Sequence, residues 1–595
     1  MGVESGKTAS KQLRHRSAKK NYVYNVLYQV LLLIVPLVTT PYISRVIGVD
    51  GVGQYSYAQS LITYFTLFAA LGFGYYAQRE IAAVREDAYA RSKLFWEVTI
   101  CRFVPTAVCL AVNLTLCFTN VYGDESGLML IMSCSIAAVA IDSSFYFQGM
   151  EDFGKIVLRN TIVKVLTVAM IFIFVNSPDD LGLYALINLG MAAVGNATLW
   201  IGLPSCLVRV KAGDIHPFRH MPGTLRLFIP TIVISIYTVL DKTLIGVITQ
   251  SDAQNAYYEQ ADKIVKIALT VVTCLGSVMI PRNTAEYRSG NIEKLRSNIY
   301  FASKFVWFLG TALAFGISAV IFNFNTWFFG EGYDGVNGIA VMLSALCIAI
   351  GMSNVIGVQY LIPLGRDKAF TLTVTAGAVV NTLLNIPLII FFGAFGAAIA
   401  TVIAECTVTA AQLLYVRREI KASRILFGGI KDLIAGGVMF AAIFPMSLYL
   451  PSNAGYTVLI ILTGVAVYCL ALTILRDRFF LENTAEVFAR LRKLLKRRKV
   501  KAASEGDTPS SRESAASLAP EPAPHADPEP SPLSPAGAKP PEPLPLSPAG
   551  AKPPAYGKAY SWGNTYTGNY ARHVYRGRYA RSRYAGGYSY RAGKK

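Results

Sequence analysis

The sequence predicts an all-α, polytopic membrane protein, with about 14 transmembrane helices in two pseudo-symmetric bundles and a disordered C-terminal tail. Three observations carry that expectation. Hydrophobic residues make up 53% of the 595-residue chain and charged residues only 15%, a balance that excludes an ordinary soluble globule. Apolar runs of about 20 residues recur, each long enough to cross a bilayer as a helix. Lys and Arg alternate from one connection to the next, as they do when basic loops stay cytoplasmic.

Taken in order, residues 1–21 form a basic cytoplasmic leader that ends in "KQLRHRSAKKN" and lacks a small-residue cleavage pattern. The run that follows therefore reads as a retained span rather than a signal peptide. Runs near 22–46, 55–78, 95–120, 126–149, 157–176 and 181–207 make an N-terminal bundle over 22–220. Runs near 225–249, 256–281, 303–324, 336–362, 371–392 and 394–416 make a second over 221–425. Only the Gly-rich joint "FFGAFGAA" separates the eleventh run from the twelfth. Two more, near 432–450 and 456–475, form an extra pair within 426–476. The connections "NVYGDESG", "NSPDD", "ITQSDAQN", "FGEGYDG" and "PSNAG" hold no Lys or Arg, whereas those between them are basic. Both termini then face the cytoplasm and the span count is even; Arg45 alone breaks the charge rule.

Beyond the last span, 477–501 reads "DRFFLENTAEVFARLRKLLKRRKVK", with apolar residues at helical spacing and a basic second half. Such a segment suits a cytoplasmic amphipathic helix on the anionic lipids of the inner leaflet, or a solvated stop-transfer flank. Residues 502–595 are low-complexity: a Pro/Ala-rich part repeats "LSPAGAKPP", and a Tyr/Arg/Gly-rich part ends the chain. That composition cannot offset chain entropy by burial, so disorder is expected. Its exposed tyrosines suit polysaccharide-assembly proteins or a tyrosine kinase, unless the tail is only an accessory. Nucleic acid is disfavoured, because the net charge of +20 is spread by loop rather than gathered on one surface.

Nine cysteines fall singly and five histidines are scattered, with no CxxC and no HExxH. Neither a disulfide framework, a metal centre nor any cofactor is expected from that spacing.

Charges inside the spans carry the functional signal. "YTVLDKTLIGVI" sets Asp241 beside Lys242, each costing roughly 3 kcal/mol near a helix centre in hydrocarbon. Neighbours on a helix point about 100° apart, so the two cannot comfortably pair with each other. The next span opens "YYEQADKIVKIALTVV", where Glu259–Lys263 and Asp262–Lys266 are i,i+4 pairs with the acid first, the favourable order. These four either satisfy one another or line a water-filled cavity that also receives Asp241 and Lys242. Arg45 holds the equivalent place in the first half. A repeat supports that equivalence: "SRVIGVDGVGQYSYAQS" and "DKTLIGVITQSDAQNAYYEQAD" open the two halves about 200 residues apart. Arg45, Lys242, Lys263 and Lys266 are candidate ligands for an anionic headgroup; Asp241, Glu259 and Glu405 are candidate cavity acids or ion-coupling groups. Arg102 and Lys164 are expected to snorkel toward the cytoplasmic face, and Asp142 is a further embedded charge.

The stretches "YTVLDKTLIGVITQSDAQNAYYEQADKIVKIALTVVTCLGSVMIPR", "TTPYISRVIGVDGVGQYSYAQSL" and "PLGRDKAFTLTVTAGAVVNTLLNIPLIIFFGAFGAAIATVIAE" resemble the polysaccharide flippases of the multidrug/oligosaccharidyl-lipid/polysaccharide exporter superfamily, in particular the Gram-positive-type capsule or cell-wall branch. The resemblance covers about 20–475 and implies alternating access between two bundles. It also implies an undecaprenyl-diphosphate-linked oligosaccharide as cargo, and no enzymatic activity. The family's cavity cations fall here on Arg45, Lys242 and Lys263, with Asp241 the acid of an Asp-Lys pair. A drug exporter of the same superfamily is the nearest alternative, and it would favour carboxylates over cations in the cavity. A membrane polymerase or glycosyltransferase would call for a large outer loop, and every such loop here is short.

Overall fold

The computed structural model describes residues 18–485, so most of the basic leader, most of the amphipathic segment and the whole tail lie outside the described residues. Within that range the secondary structure is helix alone, joined by short turns and an irregular connector near 204–216, with no strand. In lipid a spanning backbone must satisfy its own polar groups, and the helix does so within one segment. The first half comprises α1 (Ala18–Val46), α2 (Gly48–Ala70), α3 (Phe73–Ala83), α4 (Ala88–Phe118), α5 (Ser126–Ile141), α6 (Ser144–Gly149), α7 (Phe153–Phe174) and α8 (Leu181–Gly202). The second comprises α9 (Met221–Thr249), α10 (Asp252–Arg288), α11 (Ile292–Phe329), α12 (Gly335–Ser344), α13 (Leu346–Ser353) and α14 (Asp367–Val416). A short α15 (Ala422–Phe427) leads to α16 (Ile430–Tyr449) and α17 (Ala454–Ile474).

Among the described residues, 11 helical stretches are long and apolar enough to cross a membrane. Adding α1 and α9, and counting α14 as two spans, gives the fourteen that the sequence implies. The division of α14 falls at Gly393, whose φ of 58° and ψ of −139° break an otherwise helical run. An L side chain rarely adopts that backbone, and a Cβ there would sit 2.8 Å from Gln254 Oε1. The same Gln254 oxygen accepts from the freed Ala394 N–H at 2.9 Å. The Gly-rich joint is thus a corner turned in place, with no loop. The tenth span carries a feature with no sequence signal: after α13 it widens into a π-helical stretch, Asn354–Leu361.

Two clusters of buried residues hold the first lobe together, one around Phe73, Phe95 and Tyr146 and one around Ile62, Met129 and Met132. A larger cluster runs through α10–α14 and extends to Ile43, Ile47 and Val52 of the first lobe. The lobes meet where α2 starts beside the start of α10. Gly53 makes that approach possible, since a Cβ would lie 1.9 Å from the Asp252 carbonyl oxygen. The extra pair packs on α11: the Asn323 backbone N–H donates to Ser447 Oγ at 3.0 Å, and its side-chain amide donates to the Leu450 carbonyl at 3.0 Å.

Arg102 departs from the expectation that it snorkels. Arg102 is 3% exposed and stays inside, where its guanidinium donates to the Ala140 carbonyl at 2.9 Å and to that of Asp142. Its charge lies 5.4 Å from the Phe145 ring centroid. The carbonyls at the end of α5 offer an acceptor pair close at hand, so the side chain need not reach for water. Lys164 faces a cavity between the lobes.

The connector between lobes, 203–220, is fastened to the first lobe. Glu97 on α4, fully buried, accepts from the His216 backbone N–H at 2.8 Å and pairs with Arg219 at 2.6 Å. It also meets His220 Nε2 at 2.9 Å, while Nδ1 of the same ring bonds the Tyr76 hydroxyl at 2.8 Å. Val208 N–H donates to Ser92 Oγ at 2.9 Å, and the Tyr89 hydroxyl bonds Asp214. That bond from Tyr89 holds the Asp214 carboxyl below the usual carboxylate range. A second unit starts at Thr473; there Asp477 Oδ1 accepts from the Phe480 N–H at 3.0 Å and begins a helix that runs from Arg478 to the last described residue, Ala485.

Candidate functional site

On α9 and α10, which run antiparallel, the turn at 249–251 brings Lys242 level with the first turns of α10. Lys242 Nζ bonds Glu259 and lies 3.4 Å from Asp262 Oδ2. Helical spacing supplies the other two contacts: Lys263 Nζ to Glu259 at 3.0 Å and Lys266 Nζ to Asp262 at 2.7 Å. Two carboxylates therefore serve three ammoniums. Glu259 also reaches across to the first lobe, accepting from Ser56 Oγ at 3.1 Å. Beside it, Thr243 Oγ1 donates to Ser60 Oγ at 2.9 Å and lies 3.0 Å from the Tyr64 hydroxyl. Gln260 donates to Ser44 Oγ at 3.0 Å, so the lobe contact is polar at its centre.

Asp241 takes a different partner set from its neighbour. Tyr258 and Thr401 hydroxyls donate to Oδ2 at 2.5 and 2.6 Å; Asn385 and Asn381 amides donate to Oδ1 at 2.7 and 3.4 Å. The carboxyl is 6% exposed and no Lys or Arg lies within ion-pair distance among the described residues. A water-filled setting was the expectation for the Asp-Lys pair. Instead, direct bonds replace water: neutral donors for Asp241, carboxylates for Lys242. A carboxylate accepts only, and four donors converging on its two oxygens match that capacity. The surrounding oxygens, from one carboxylate, two hydroxyls and two amides that can turn, are hard ligands of the kind that suit a small hard cation or a proton. No three His, Cys, Asp or Glu side chains cluster closely enough for a metal ion among the described residues.

The other predicted residues are placed apart. Arg45, exposed at the end of α1, donates to the Trp327 carbonyl at the end of α11 and packs beside Gly330. The structure does not bring it to Lys242 or Lys263. Lys266 is exposed for 58% of its side chain. Glu405 lies half-buried on α14, one turn beyond Thr401, and does not line the cavity between the lobes. That cavity, of about 170 Å³, is lined by Glu259, Gln260 and Lys263 from α10 and by Lys164, Tyr55 and Tyr184 from the first lobe. Reading the sequence missed the partners Ser56, Tyr258, Asn381, Asn385 and Thr401. The asparagines had a usable signal: "VVNTLLNIP" repeats Asn at i,i+4, two amides on one face of an apolar span.

Residues 18–285 match the family model described as "Polysaccharide biosynthesis protein". The "Putative O-antigen transporter" of Escherichia coli (strain K12) is 23% identical over 422 residues, 68% of this chain and 97% of that protein. Among solved structures, the lipid II flippase MurJ in an inward closed conformation superposes with a TM-score of 0.57 at 16% identity, covering 74% of this chain and 99% of MurJ. An inward-facing multidrug resistance MATE family transporter of the MOP superfamily gives 0.52 at 14%, covering 66% and 98%. The fold is that of the MOP transporters. The matched proteins are named as transporters and flippases, and the chain is a multi-pass membrane protein of that architecture.

Proposed function

We propose that this protein is a flippase that moves an undecaprenyl-diphosphate-linked oligosaccharide from the inner to the outer leaflet by alternating access. The observation that carries the reading is the charge group between the lobes, where Lys242 and Lys263 share Glu259 while Glu259 bonds Ser56 across the lobe contact. Cations placed at a polar seam between two lobes suit a diphosphate entering from one side and leaving from the other. A drug exporter would be better served by unpaired carboxylates there. The names of the O-antigen and lipid II relatives support a lipid-linked saccharide as cargo. Motif resemblance extends the assignment to a Gram-positive-type capsule or cell-wall polymer.

The alternating basic loops put both termini in the cytoplasm and the 249–251 turn outside the plasma membrane. In that orientation the lobes are closed at their outer ends, as the Gly53 contact at Asp252 requires. Of the candidate acids, Asp241 is the ion-coupling group in this reading, because its carboxylate is held by neutral donors rather than neutralised by a lysine. Arg45 acts at the outer rim. The basic segment at 477–501 meets anionic lipid, and the tail serves assembly proteins or a tyrosine kinase.

Complementation of a flippase-deficient strain tests the reading. Parent protein restores polymer export, and Lys242→Ala lowers it at unchanged membrane abundance. Full export by Lys242→Ala would remove the charge group from the mechanism.

A further inference from the structure

The cavity between the lobes contains a charge that the ion pairs described above do not use. Lys164, on α7, lines it from the first lobe, opposite Lys263 on α10. Lys263 has Glu259 at 3.0 Å, and Glu259 is already shared with Lys242 and Ser56. Lys164 has no ion-pair partner among the described residues. An ammonium half-buried in a membrane span without a counter-ion is costly, and a ligand that supplied one would recover part of that cost. Tyr55, Tyr184 and Asn188 complete a polar wall around it.

We propose that Lys164 is a phosphate-binding residue, and that Lys164 and Lys263 hold one phosphate-bearing headgroup from the two lobes at once. The proposal rests on the flippase reading and adds to it the first-lobe half of the headgroup site. Glu259 occupies the anion position in the absence of cargo. When the headgroup enters, Lys263 exchanges the carboxylate for a phosphate oxygen while Lys242 stays with Glu259 and Asp262. A phosphate bridging α7 and α10 then links the lobes through the cargo, so headgroup binding and lobe position are coupled. A cavity of 170 Å³ holds on the order of five waters. That is room for a phosphate group and not for an oligosaccharide, which leaves sugars and lipid tail outside it.

The test uses the full chain in detergent micelles, with geranylgeranyl diphosphate as probe and geranylgeraniol and inorganic pyrophosphate as competitors. The parent is expected to bind the probe, with pyrophosphate competing and geranylgeraniol not. Lys164→Ala and Lys164→Gln are expected to weaken binding about tenfold or more, Lys164→Arg to stay within about threefold, and Lys155→Ala to match the parent. Thermal unfolding of each variant reports its folding, and Gln or Arg serves where Ala does not fold. Unchanged affinity in Lys164→Gln beside a loss in Lys263→Ala overturns the role of Lys164 and leaves the flippase reading standing. Binding that geranylgeraniol displaces and pyrophosphate does not overturns phosphate recognition. A parent that binds no diphosphate overturns the flippase reading and this proposal with it. Nanodiscs with and without phosphatidylglycerol separate the sources: equal probe affinity in both supports a diphosphate site, and loss of Lys164-dependent binding with added phosphatidylglycerol assigns the site to bulk lipid and overturns it.

Discussion

Replacing Asp241 separates the shape of its site from its charge. In Asp241→Ala, four donors lose their acceptor at once: the Tyr258 and Thr401 hydroxyls and the Asn381 and Asn385 amides. Some can re-pair. Tyr258 and Thr401 oxygens lie 3.4 Å apart, and Asn385 already donates to Asn381 at 2.9 Å. About two donors remain unsatisfied in the interior at about 1–3 kcal/mol each, so a loss of about 2–6 kcal/mol is expected. In Asp241→Asn the new Oδ1 accepts from both hydroxyls. Its Nδ2 faces Asn385, whose own Oδ1 is buried without a partner and can accept after the amide turns over. That substitution should cost less than about 1 kcal/mol. Thermal unfolding in micelles reads the difference as roughly 4–12 °C for Ala against about 2 °C or less for Asn. Equal drops would refute the argument that neutral donors and geometry hold this residue. If the carboxylate charge serves ion coupling, Asp241→Asn also loses export while it keeps its fold; normal export would remove that role.

Three further outcomes are expected. Glu259→Gln removes the carboxylate that competes with cargo for Lys263, so geranylgeranyl diphosphate should bind several-fold tighter, and weaker binding would count against the exchange. Gly53→Ala places a Cβ 1.9 Å from the Asp252 carbonyl oxygen; hydrogen exchange over 252–262 should quicken about tenfold or more as the lobe contact loosens, and unchanged exchange would show that the contact is not what holds it. At the Arg366–Glu419 pair (2.7 Å), burial pulls the Glu419 carboxyl up, but bonds from Arg366 and Tyr360 outweigh it, so the group sits below its ordinary 4.5. A depressed folded value means the pair stabilises fully above pH 4.5 and the contribution is lost as pH falls through the lower folded value. Glu419→Gln should therefore unfold at lower temperature than the parent near pH 7, with the gap closing in acid; a gap that widened in acid would reverse the sign.

The spans were legible because their signal is additive: some twenty apolar residues in a row specify a crossing whatever their partners. Even the Gly393 corner was visible as a Gly-rich joint, though only the backbone shows that no loop is needed. The ion pairs on α10 were equally local, since helix spacing alone sets Glu259 against Lys263. What could not be read was which distant residue meets which. Asp241 is held by Asn381, Asn385 and Thr401, about 140–160 positions away, and nothing in "VLDKT" specifies them. Arg102 misled for a related reason. A lone arginine near a helix end fits snorkelling until the carbonyls of Ala140 and Asp142 are seen to lie beside it.

The connector that joins the lobes is short of slack. Glu97, Ser92 and Tyr76 tie it down from Val208 to His220, and just beyond, Gly223 lies so close to Tyr76 that a Cβ would sit 2.4 Å from the ring. The opening of α9 thus belongs mechanically to the first lobe, while Asp241, further along the same helix, is bonded into the second. In the proposed alternating access, a swing of one lobe against the other falls on α9 between these two anchorages, as bending along that helix.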